Sequence, residues 1–385
     1  MLQPNLSLGQ ILNNWTAGQT PTASEWQHLV TEALASPQRA KAFGITPANV
    51  EEIVQAHSLI FQAVYPEVLS LLSFESTPKK KSREAAEIPQ SEIQVEGLRS
   101  PTADRQFKIA TSLWKLWLPL AMQLASSQQQ LGRPLIQGIL GGQGTGKTTL
   151  GAVLSLILTH LGYRTLSLSL DDLYKTYAER QRLQQQDPRL IWRGPPGTHD
   201  VELATELLDQ LRQPNQQHPI LVPRFDKSAW RGAGDRTTPE VVAGVDIVLF
   251  EGWFVGVRPI DPTVFDAPTP EPIRTSADRS FARDMNEQLK HYLPLWERLD
   301  RLMLLYPTDY RLSQQWRRQA EQQMISTGKS GMADSQVDEF VEYFWRSLHP
   351  ELFITPLTRN PSWVDLVIEI NPDHTVGAVY QPGDA

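Results

Sequence analysis

Short apolar runs recur through the last two thirds of the chain, and each has the length and composition of a buried β-strand. Segments with helical spacing separate these runs, as expected when strands run parallel and helices form the connections between them. The pattern therefore predicts an α/β fold, with a parallel sheet covered by helices on both faces. The five predicted strands are Leu135–Leu140, Arg164–Leu170, Val245–Phe250, Leu302–Tyr306 and Val364–Ile370.

The N-terminal part of the chain has a helical pattern instead. Apolar side chains in residues 24–34 recur at close to helical spacing, and a second helix is expected from residue 47 to about residue 72. A third helix is predicted over residues 104–130. It should bend near Pro119, because proline cannot donate to the helical hydrogen-bond ladder. We found no chemical motif in this region and expect it to act as scaffold or oligomer contact.

Composition changes sharply between these helices. Residues 76–100 begin with a basic run and continue with few large apolar side chains, which is typical of a linker or surface loop. A basic targeting signal is a weaker interpretation of the same run. We therefore predict an N-terminal helical region at 1–75, a polar linker at 76–100 and a domain containing the sheet at 101–385.

A glycine-rich loop follows the first predicted strand. Residues 141–148 match the phosphate-binding pattern G-x-x-x-x-G-K-[ST]. Glycines let backbone N–H groups approach phosphate oxygens, the lysine adds positive charge, and the threonine hydroxyl can hold Mg²⁺. A glycine turn without a ligand is the structural alternative, but the order strand, loop, helix favours a P-loop NTPase-type sheet. The expected nucleotide contacts are Gly141, Gly142, Gln143, Gly144, Thr145, Gly146, Lys147, Thr148 and Thr149.

Carboxylates follow two other predicted strands. Asp171 and Asp172 come directly after the second strand, and Glu251 ends the third. Parallel sheets bind ligands beyond the carboxyl ends of their strands. A carboxylate there can orient an acceptor hydroxyl and take its proton, while another holds Mg²⁺ directly or through water. The structural alternatives are a helix N-cap for the aspartates and a surface position for Glu251.

Two loops concentrate cations and glycines. Residues 193–200 contain Arg193 and His199, for which the sequence shows no structural role, and Asp200, which fits a helix N-cap as well as a functional role. Residues 222–236 include Arg224 and Lys227. Arginine can hold a carboxylate through two parallel hydrogen bonds, so these loops are candidates for binding a small anionic substrate. For any single cation, a surface ion pair is the structural alternative.

A predicted helix at residues 315–321 carries the adjacent arginines Arg317 and Arg318. P-loop kinases commonly close an arginine-bearing lid over the triphosphate, which excludes water from the reaction. A solvated helical face explains the same pair equally well.

Composition narrows the possible classes of function. The 385 residues carry a net charge of −7 and include no cysteine, so neither a basic nucleic-acid surface nor thiol chemistry is expected. The start of the chain lacks the features of a secretory signal or an Arg-rich transit peptide, and its most apolar helical stretch is too short to cross a bilayer. We expect a soluble cytoplasmic protein without nucleic-acid or membrane partners. The sequence gives no indication of oligomeric state.

Together these motifs resemble the D-glycerate 3-kinase family of plants and cyanobacteria, which is related to uridine kinase, phosphoribulokinase and bacterial pantothenate kinase. The ordered series covers about residues 135–380 and departs from the pattern at Leu173, where many relatives would have an aromatic residue. The motifs that carry the resemblance are Gly141–Thr148, Ser169–Tyr174, Arg193–Asp200, Pro223–Ser228, Gly234–Arg236, Phe250–Trp253, Trp316–Glu321, Gly328–Met332 and Asp338–Val341.

The resemblance implies transfer of phosphate from ATP, with Mg²⁺, to D-glycerate, giving 3-phospho-D-glycerate in the photorespiratory glycolate pathway. It places the base at Asp171, assisted by Lys147 and the lid arginine Arg317. The residues themselves, rather than the resemblance, indicate Asp171, Tyr174, Arg193, His199, Arg224 and Lys227 for substrate and Thr148, Asp172 and Glu251 for metal. Two alternatives are a kinase for another small metabolite, such as pantothenate or a nucleoside, and a non-kinase nucleotide-dependent switch.

Overall fold

The structure, a computed structural model, describes residues 6–74, 101–213, 218–326 and 331–383. The chain divides into two compact units, Met1–Ala121 and Met122–Ala385. The predicted linker at 76–100 lies outside the described residues, as does most of the motif at Gly328–Met332.

The first unit is helical, as the sequence predicts. Around an aromatic core, the ring centroids of Trp15 and Phe61 lie 5.7 Å apart, and the ring of Trp114 lies 5.8 Å from Trp15. Residues 24–34 and 47–72 are helical at close to the predicted bounds. The helices are α1 (Leu8–Thr16), α2 (Ala23–Leu34), α3 (Pro37–Ala42), α4 (Val50–Phe74) and α5 (Pro101–Ser112).

The long helix predicted over residues 104–130 is interrupted just before Pro119. A π-helical turn, Leu113–Trp117, joins α5 to α6 (Leu118–Leu131), and the Leu118 N–H donates to the Leu113 carbonyl. In a regular α-helix the proline ring would clash with the carbonyl four residues earlier. The wider π turn accommodates the ring, so the irregularity has an identifiable cause.

The end of the first unit differs from the predicted start of the domain at residue 101. Residues 101–121 group with the first unit because α5 packs along α1. The domain bounds 1–75, 76–100 and 101–385 therefore stay a prediction. No helix among the described residues is both long enough and apolar enough to span a lipid bilayer.

The second unit is built on a six-stranded sheet with the order β2-β5-β1-β6-β7-β8. The first five strands in this order pair in parallel, and β8 pairs antiparallel with β7. All five predicted strands are confirmed. The strands are β1 (Leu135–Gly141), β2 (Thr165–Ser169), β3 (Ile220–Asp226), β4 (Asp235–Val242), β5 (Ile247–Gly252), β6 (Arg301–Pro307), β7 (Leu366–Ile370) and β8 (Val376–Tyr380).

The sequence did not predict β3, β4 or β8. Strands β3 and β4 form a separate antiparallel hairpin that packs on the 3₁₀ turn after β2. Charged side chains and Pro223 interrupt the apolar alternation in β3, and exposed positions predominate in β4, so neither has the pattern of a core strand. Strand β8 is a half-exposed sheet edge.

Helices cover the sheet, as the predicted fold class requires. Every residue of β1 is buried, and its neighbour β5 is almost completely buried. The helices of this unit, after α6, are α7 (Lys147–His160), α8 (Tyr177–Gln186), α9 (Val201–Leu211), α10 (Ser276–Gln288), α11 (Leu293–Trp296), α12 (Leu312–Ser326), α13 (Asp334–Ser347) and α14 (Pro350–Phe353).

Strand order brings the sequence motifs together. Strand β5 lies between β2 and β1, and Ser169 at the end of β2 pairs in register with Glu251 near the end of β5. Glu251 also pairs with Ile139, two residues before the glycine-rich loop begins. The three parallel strands therefore deliver the glycine loop, the aspartates and Glu251 to one edge of the sheet.

Candidate active site

The glycine-rich loop forms a compact turn at the N-terminus of α7. Gly144 and Gly146 have left-handed backbone conformations, with φ of +76° and +85°. The Lys147 ammonium donates to the Gly142 carbonyl at 2.9 Å, and the Thr145 hydroxyl donates to the same carbonyl at 2.9 Å. The geometry is that of an anion nest whose free N–H groups lie at a helix N-terminus. The arrangement fits a polyphosphate.

Helix α12 lies against this loop. A side-chain Cβ built on Gly144 would come within 2.7 Å of the Trp316 Cβ, so only glycine allows so close an approach. The next residue, Arg317, pairs with the buried Glu321 at 2.6 Å and lies 5.6 Å from the Phe340 ring centroid. The predicted lid arginine is therefore on an element that touches the phosphate loop. In this structure its charge is held by Glu321.

Opposite charges surround the loop lysine. Burial lowers the pKa of Lys147, whereas the nearby carboxylates of Glu251 and Asp171 favour its charged form. The Glu251 Oε1 lies 3.5 Å from the Thr148 hydroxyl. A hydroxyl and a carboxylate beside a phosphate site are hard oxygen ligands of the kind Mg²⁺ prefers, completed by phosphate and water. Thr148 and Glu251 therefore fit a magnesium ion.

Asp171 lies at the carboxyl end of β2 and has two specific partners. Its Oδ2 is 2.6 Å from the Lys227 ammonium, and its Oδ1 accepts a hydrogen bond from the Tyr174 hydroxyl at 2.8 Å. Burial by itself would raise the pKa of Asp171, but Lys227 and Tyr174 stabilise the anion and bring that pKa below its ordinary value. The carboxylate is consequently ionised at neutral pH, as a proton acceptor must be.

Asp172 has a different environment. Its Oδ2 accepts from the Ser169 N–H at 3.1 Å, which caps the 3₁₀ turn Leu170–Leu173, and it pairs with Arg224 at 2.9 Å. The two neighbouring aspartates thus point to separate groups, as expected at a strand end. The N-cap of this turn is Ser169, and Asp172 completes its capping box from the third position, so neither aspartate is the N-cap itself. The acidic and histidine side chains of the described residues do not form a metal-binding group of three.

Arg224 is fully engaged with protein groups. Besides Asp172, its guanidinium donates twice to Glu240, at 2.9 and 2.6 Å, and once to the Ser167 carbonyl at 3.1 Å. These bonds fasten the β3–β4 hairpin to β2. Of the three cations predicted to hold a substrate anion, Arg224 and Lys227 therefore have carboxylate partners within the protein. Among the described residues, Arg193 donates only to the carbonyls of Gly232 and Ala233, at 2.7 and 3.1 Å.

His199 lies in an aromatic cluster behind the aspartates. Its ring stacks on Tyr174 with centroids 4.5 Å apart, and its Nδ1 is 2.8 Å from the Tyr292 hydroxyl. Burial lowers the pKa of His199 to about 3, so the ring is neutral. The Tyr292 oxygen also accepts a hydrogen bond from the Gly197 N–H at 2.9 Å, and the His199 Nε2 is buried without a hydrogen-bond partner among the described residues. The predicted N-cap is present beside it: Asp200 accepts from the Leu203 N–H.

Sequence reasoning missed two residues of this site. Tyr292 orients His199 from a short 3₁₀ turn about ninety positions away, a distance that no local pattern reveals. Arg180 lies on α8, a helix with no buried residue and no apolar face. Polar contacts must hold a helix that has no apolar face. The polar sequence of α8 is therefore the one signal that could have pointed to Arg180.

Known proteins were compared with the chain, and no family model matches it. It is 31% identical over 253 residues to "D-glycerate 3-kinase, chloroplastic" of Arabidopsis thaliana, a match covering 62% of this chain and 53% of that protein. It is 32% identical over 224 residues to "Uncharacterized kinase mug58" of Schizosaccharomyces pombe, covering 55% of this chain and 79% of that protein. The chain thus spans about half the length of the plant relative and most of the yeast relative.

Among solved structures, that of D-glycerate 3-kinase from Cryptococcus neoformans superposes with a TM-score of 0.61 at 28% identity, covering 69% of this chain and 99% of that one. The fold and the phosphate loop define a P-loop kinase. More specifically, the chain belongs to the same kinase family as mug58, and it is similar to the D-glycerate 3-kinases of a plant and a fungus.

Proposed function

We propose that the protein transfers the γ-phosphoryl group of ATP to the 3-hydroxyl of D-glycerate, giving ADP and 3-phospho-D-glycerate. The observation that carries this proposal is Asp171, ionised and held by Lys227 and Tyr174 at the same sheet edge as the phosphate loop. Relatives named D-glycerate 3-kinase in a plant and a fungus support the choice of acceptor.

Asp171 orients the acceptor hydroxyl and accepts its proton. Lys147 stabilises the negative charge on the γ-phosphoryl group during its transfer. Phosphoryl transfer needs mainly positioning and electrostatic stabilisation, so a fixed carboxylate beside a fixed cation is sufficient machinery. Tyr174 and Lys227 hold the base in place. To reach the phosphates, Arg317 would leave its ion pair with Glu321, which lies one turn further along the same helix.

Magnesium belongs to this proposal. Thr148 and Glu251 would hold the ion, and Asp172 would act through its water shell, since its Oδ2 is committed to Ser169 and Arg224. Bound Mg²⁺ supplies charge neutralisation for the transferring phosphoryl group.

The cellular setting is likewise proposed. We place the reaction in the cytoplasm and in the photorespiratory glycolate pathway, with a small-molecule substrate and with neither nucleic acid nor membrane as partner. Since relatives occur in fungi as well as in a plant, the family reaction extends beyond photosynthetic organisms.

The proposal is tested by ADP release across a panel of acceptors: D-glycerate, L-glycerate, glycerol, pantothenate, uridine and ribulose 5-phosphate. We expect D-glycerate to give by far the highest kcat/KM, and glycerol, which lacks the carboxylate, to be a very poor acceptor. A preference for pantothenate or uridine would assign the chain to another small-molecule kinase. Acceptor-independent ADP release alone would indicate a nucleotide-dependent switch.

A further inference from the structure

Two arginines near the site lack carboxylate partners. Across the described part of the chain, Arg180 and Arg193 form no ion pair, whereas Arg224, Lys227 and Arg236 are paired with carboxylates at 2.6 to 2.9 Å. Guanidinium groups held close together repel each other unless an anion joins them. Burial lowers the pKa of Arg180, and the charge of Arg193 lowers it further.

Both guanidinium groups lie over the same two aromatic rings. Arg180 is 5.9 Å from the Tyr174 centroid and 5.1 Å from that of Phe225. Arg193 is 5.9 and 5.5 Å from the same two centroids. Aromatic faces attract cations and fix the plane of a guanidinium group, so both guanidinium groups are held in position before a ligand binds.

The turn between β3 and β4 holds these arginines from the other side. Both donate to the carbonyl of Ala233, at 2.9 Å from Arg180 and 3.1 Å from Arg193. The turn itself is unusual, because Trp230 and Arg231 are non-glycine residues with φ of 51° and 57°. Such conformations persist only where surrounding contacts impose them, and they are common at ligand-binding sites.

The arginines border an open cavity of about 530 Å³, which Tyr177, Trp192 and Thr198 also line. The Arg180 Nη1 is buried and has no hydrogen-bond partner among the described residues. An unsatisfied buried donor on a cation is costly unless a ligand supplies the acceptor.

Tyr174 contacts both the arginines that border this cavity and the proposed base, Asp171. Its ring lies beside both guanidinium groups, and its hydroxyl donates to Asp171. Tyr174 is 3% exposed, so this packed side chain contacts both the guanidinium groups and the base.

From this geometry we propose that Arg180 and Arg193 together form the carboxylate subsite of the acceptor, with Arg180 as a specificity-determining residue. The inference rests on the proposed function and narrows the three cations considered from the sequence to Arg193, joined by a residue that no motif contains. Arg224 and Lys227 hold the aspartates instead.

The test compares Arg180→Gln, Arg180→Lys and Arg193→Gln with Arg182→Gln, a control on the exposed side of the same helix. For each variant, kcat and KM are measured with D-glycerate, glycerol and MgATP, and melting temperature checks folding. We expect the two glutamine variants at 180 and 193 to raise the KM for D-glycerate by roughly 10- to 100-fold. Glycerol use, the KM for MgATP and the Arg182→Gln control should be nearly unchanged, and Arg180→Lys should recover part of the loss.

If the wild type phosphorylates D-glycerate but neither glutamine variant alters its KM, the subsite is wrong and the proposed function stands. If the wild type instead prefers another carboxylate acceptor and the variants weaken that one selectively, the function is wrong and the subsite stands. Equal losses with glycerol and glycerate would show a structural role for the arginines and overturn the inference.

Discussion

At the residue scale, the site depends on how two adjacent aspartates are held. Asp171 contacts Lys227 and Tyr174, whereas Asp172 contacts Ser169 and Arg224. The sequence predicted separate roles for the pair, and the structure gives each a distinct set of partners. Arg224, which the sequence predicts to bind substrate, pairs with Asp172 and Glu240 in the structure, and its role toward substrate stays a prediction.

Asp171→Asn should lower kcat by about 10²- to 10⁴-fold, because it removes the proton acceptor while preserving its size. The KM for MgATP should change little. Asp172→Asn should keep most of its kcat at saturating Mg²⁺ and lower the melting temperature, since it weakens the ion pair with Arg224. Steady-state kinetics at several Mg²⁺ concentrations measure both variants, because a metal ligand can imitate a base at one concentration.

One outcome would make Asp172, rather than Asp171, the proton acceptor. That outcome is an Asp171→Asn variant with most of its turnover, together with an Asp172→Asn variant inactive at every Mg²⁺ concentration.

At the element scale, helix α12 and the phosphate loop are joined by contact between Trp316 and Gly144. The His374 ring stacks on the Trp316 indole, whose N–H donates to the Pro372 carbonyl at 3.1 Å, so the indole is held beside the loop. This contact gives a physical reason for a glycine that the motif pattern itself leaves free.

Gly144→Ala should raise the KM for MgATP and lower the melting temperature. The new Cβ would lie 2.7 Å from Trp316, and the residue would have to keep a φ of +76°. Gly151→Ala in α7 is the matched control, because nothing lies within 4 Å of its Cβ and its φ is not positive. The control should be neutral or slightly stabilising, as alanine favours a helix interior. Normal nucleotide affinity in Gly144→Ala would show that the contact is dispensable.

The sequence predicts the elements that have a regular apolar pattern. It does not predict the β3–β4 hairpin, whose charged side chains lie near the site. The five core strands are apolar-rich or alternating segments of strand length, and the sequence predicts all of them. The sequence predicts a charged loop where the β3–β4 hairpin forms, because Pro223, Arg224 and Asp226 interrupt the apolar pattern of β3. No local pattern marks Arg180, because Phe225, one of the two rings that its guanidinium contacts, lies far away along the chain.

At the scale of the whole molecule, the two units differ in what the sequence reveals. The second unit carries every matched motif, whereas the first has a core of buried aromatic side chains and one buried histidine. His57 is 5% exposed and packs edge-on to Trp114, and burial lowers its pKa to about 4 from 6.5. The ring is therefore neutral in the folded protein.

This burial predicts acid sensitivity. As pH falls below 6.5, the unfolded chain binds a proton at residue 57 that the folded chain does not, so stability is lost progressively down to about pH 4. The loss should be on the order of 3 kcal/mol by the usual conversion of a pKa difference. Melting temperature is measured from about pH 7.5 to about pH 4, a range that brackets the protonation of His57. Over this range it should fall less steeply in His57→Gln than in the wild type.

His160→Gln, at an exposed position at the end of α7, is the control and should follow the wild-type curve. Parallel curves for His57→Gln and the wild type would mean that the buried ring does not contribute to acid sensitivity.

The central claim is that this phosphate loop and this base phosphorylate a three-carbon acid at its terminal hydroxyl. The most direct measurement is phosphorus NMR of a reaction containing the full chain, MgATP and D-glycerate. The account predicts equal amounts of ADP and 3-phospho-D-glycerate, and no product from a folded Lys147→Ala variant. Release of ADP without phosphorylated glycerate, or unchanged turnover in Lys147→Ala at saturating ATP, would contradict it.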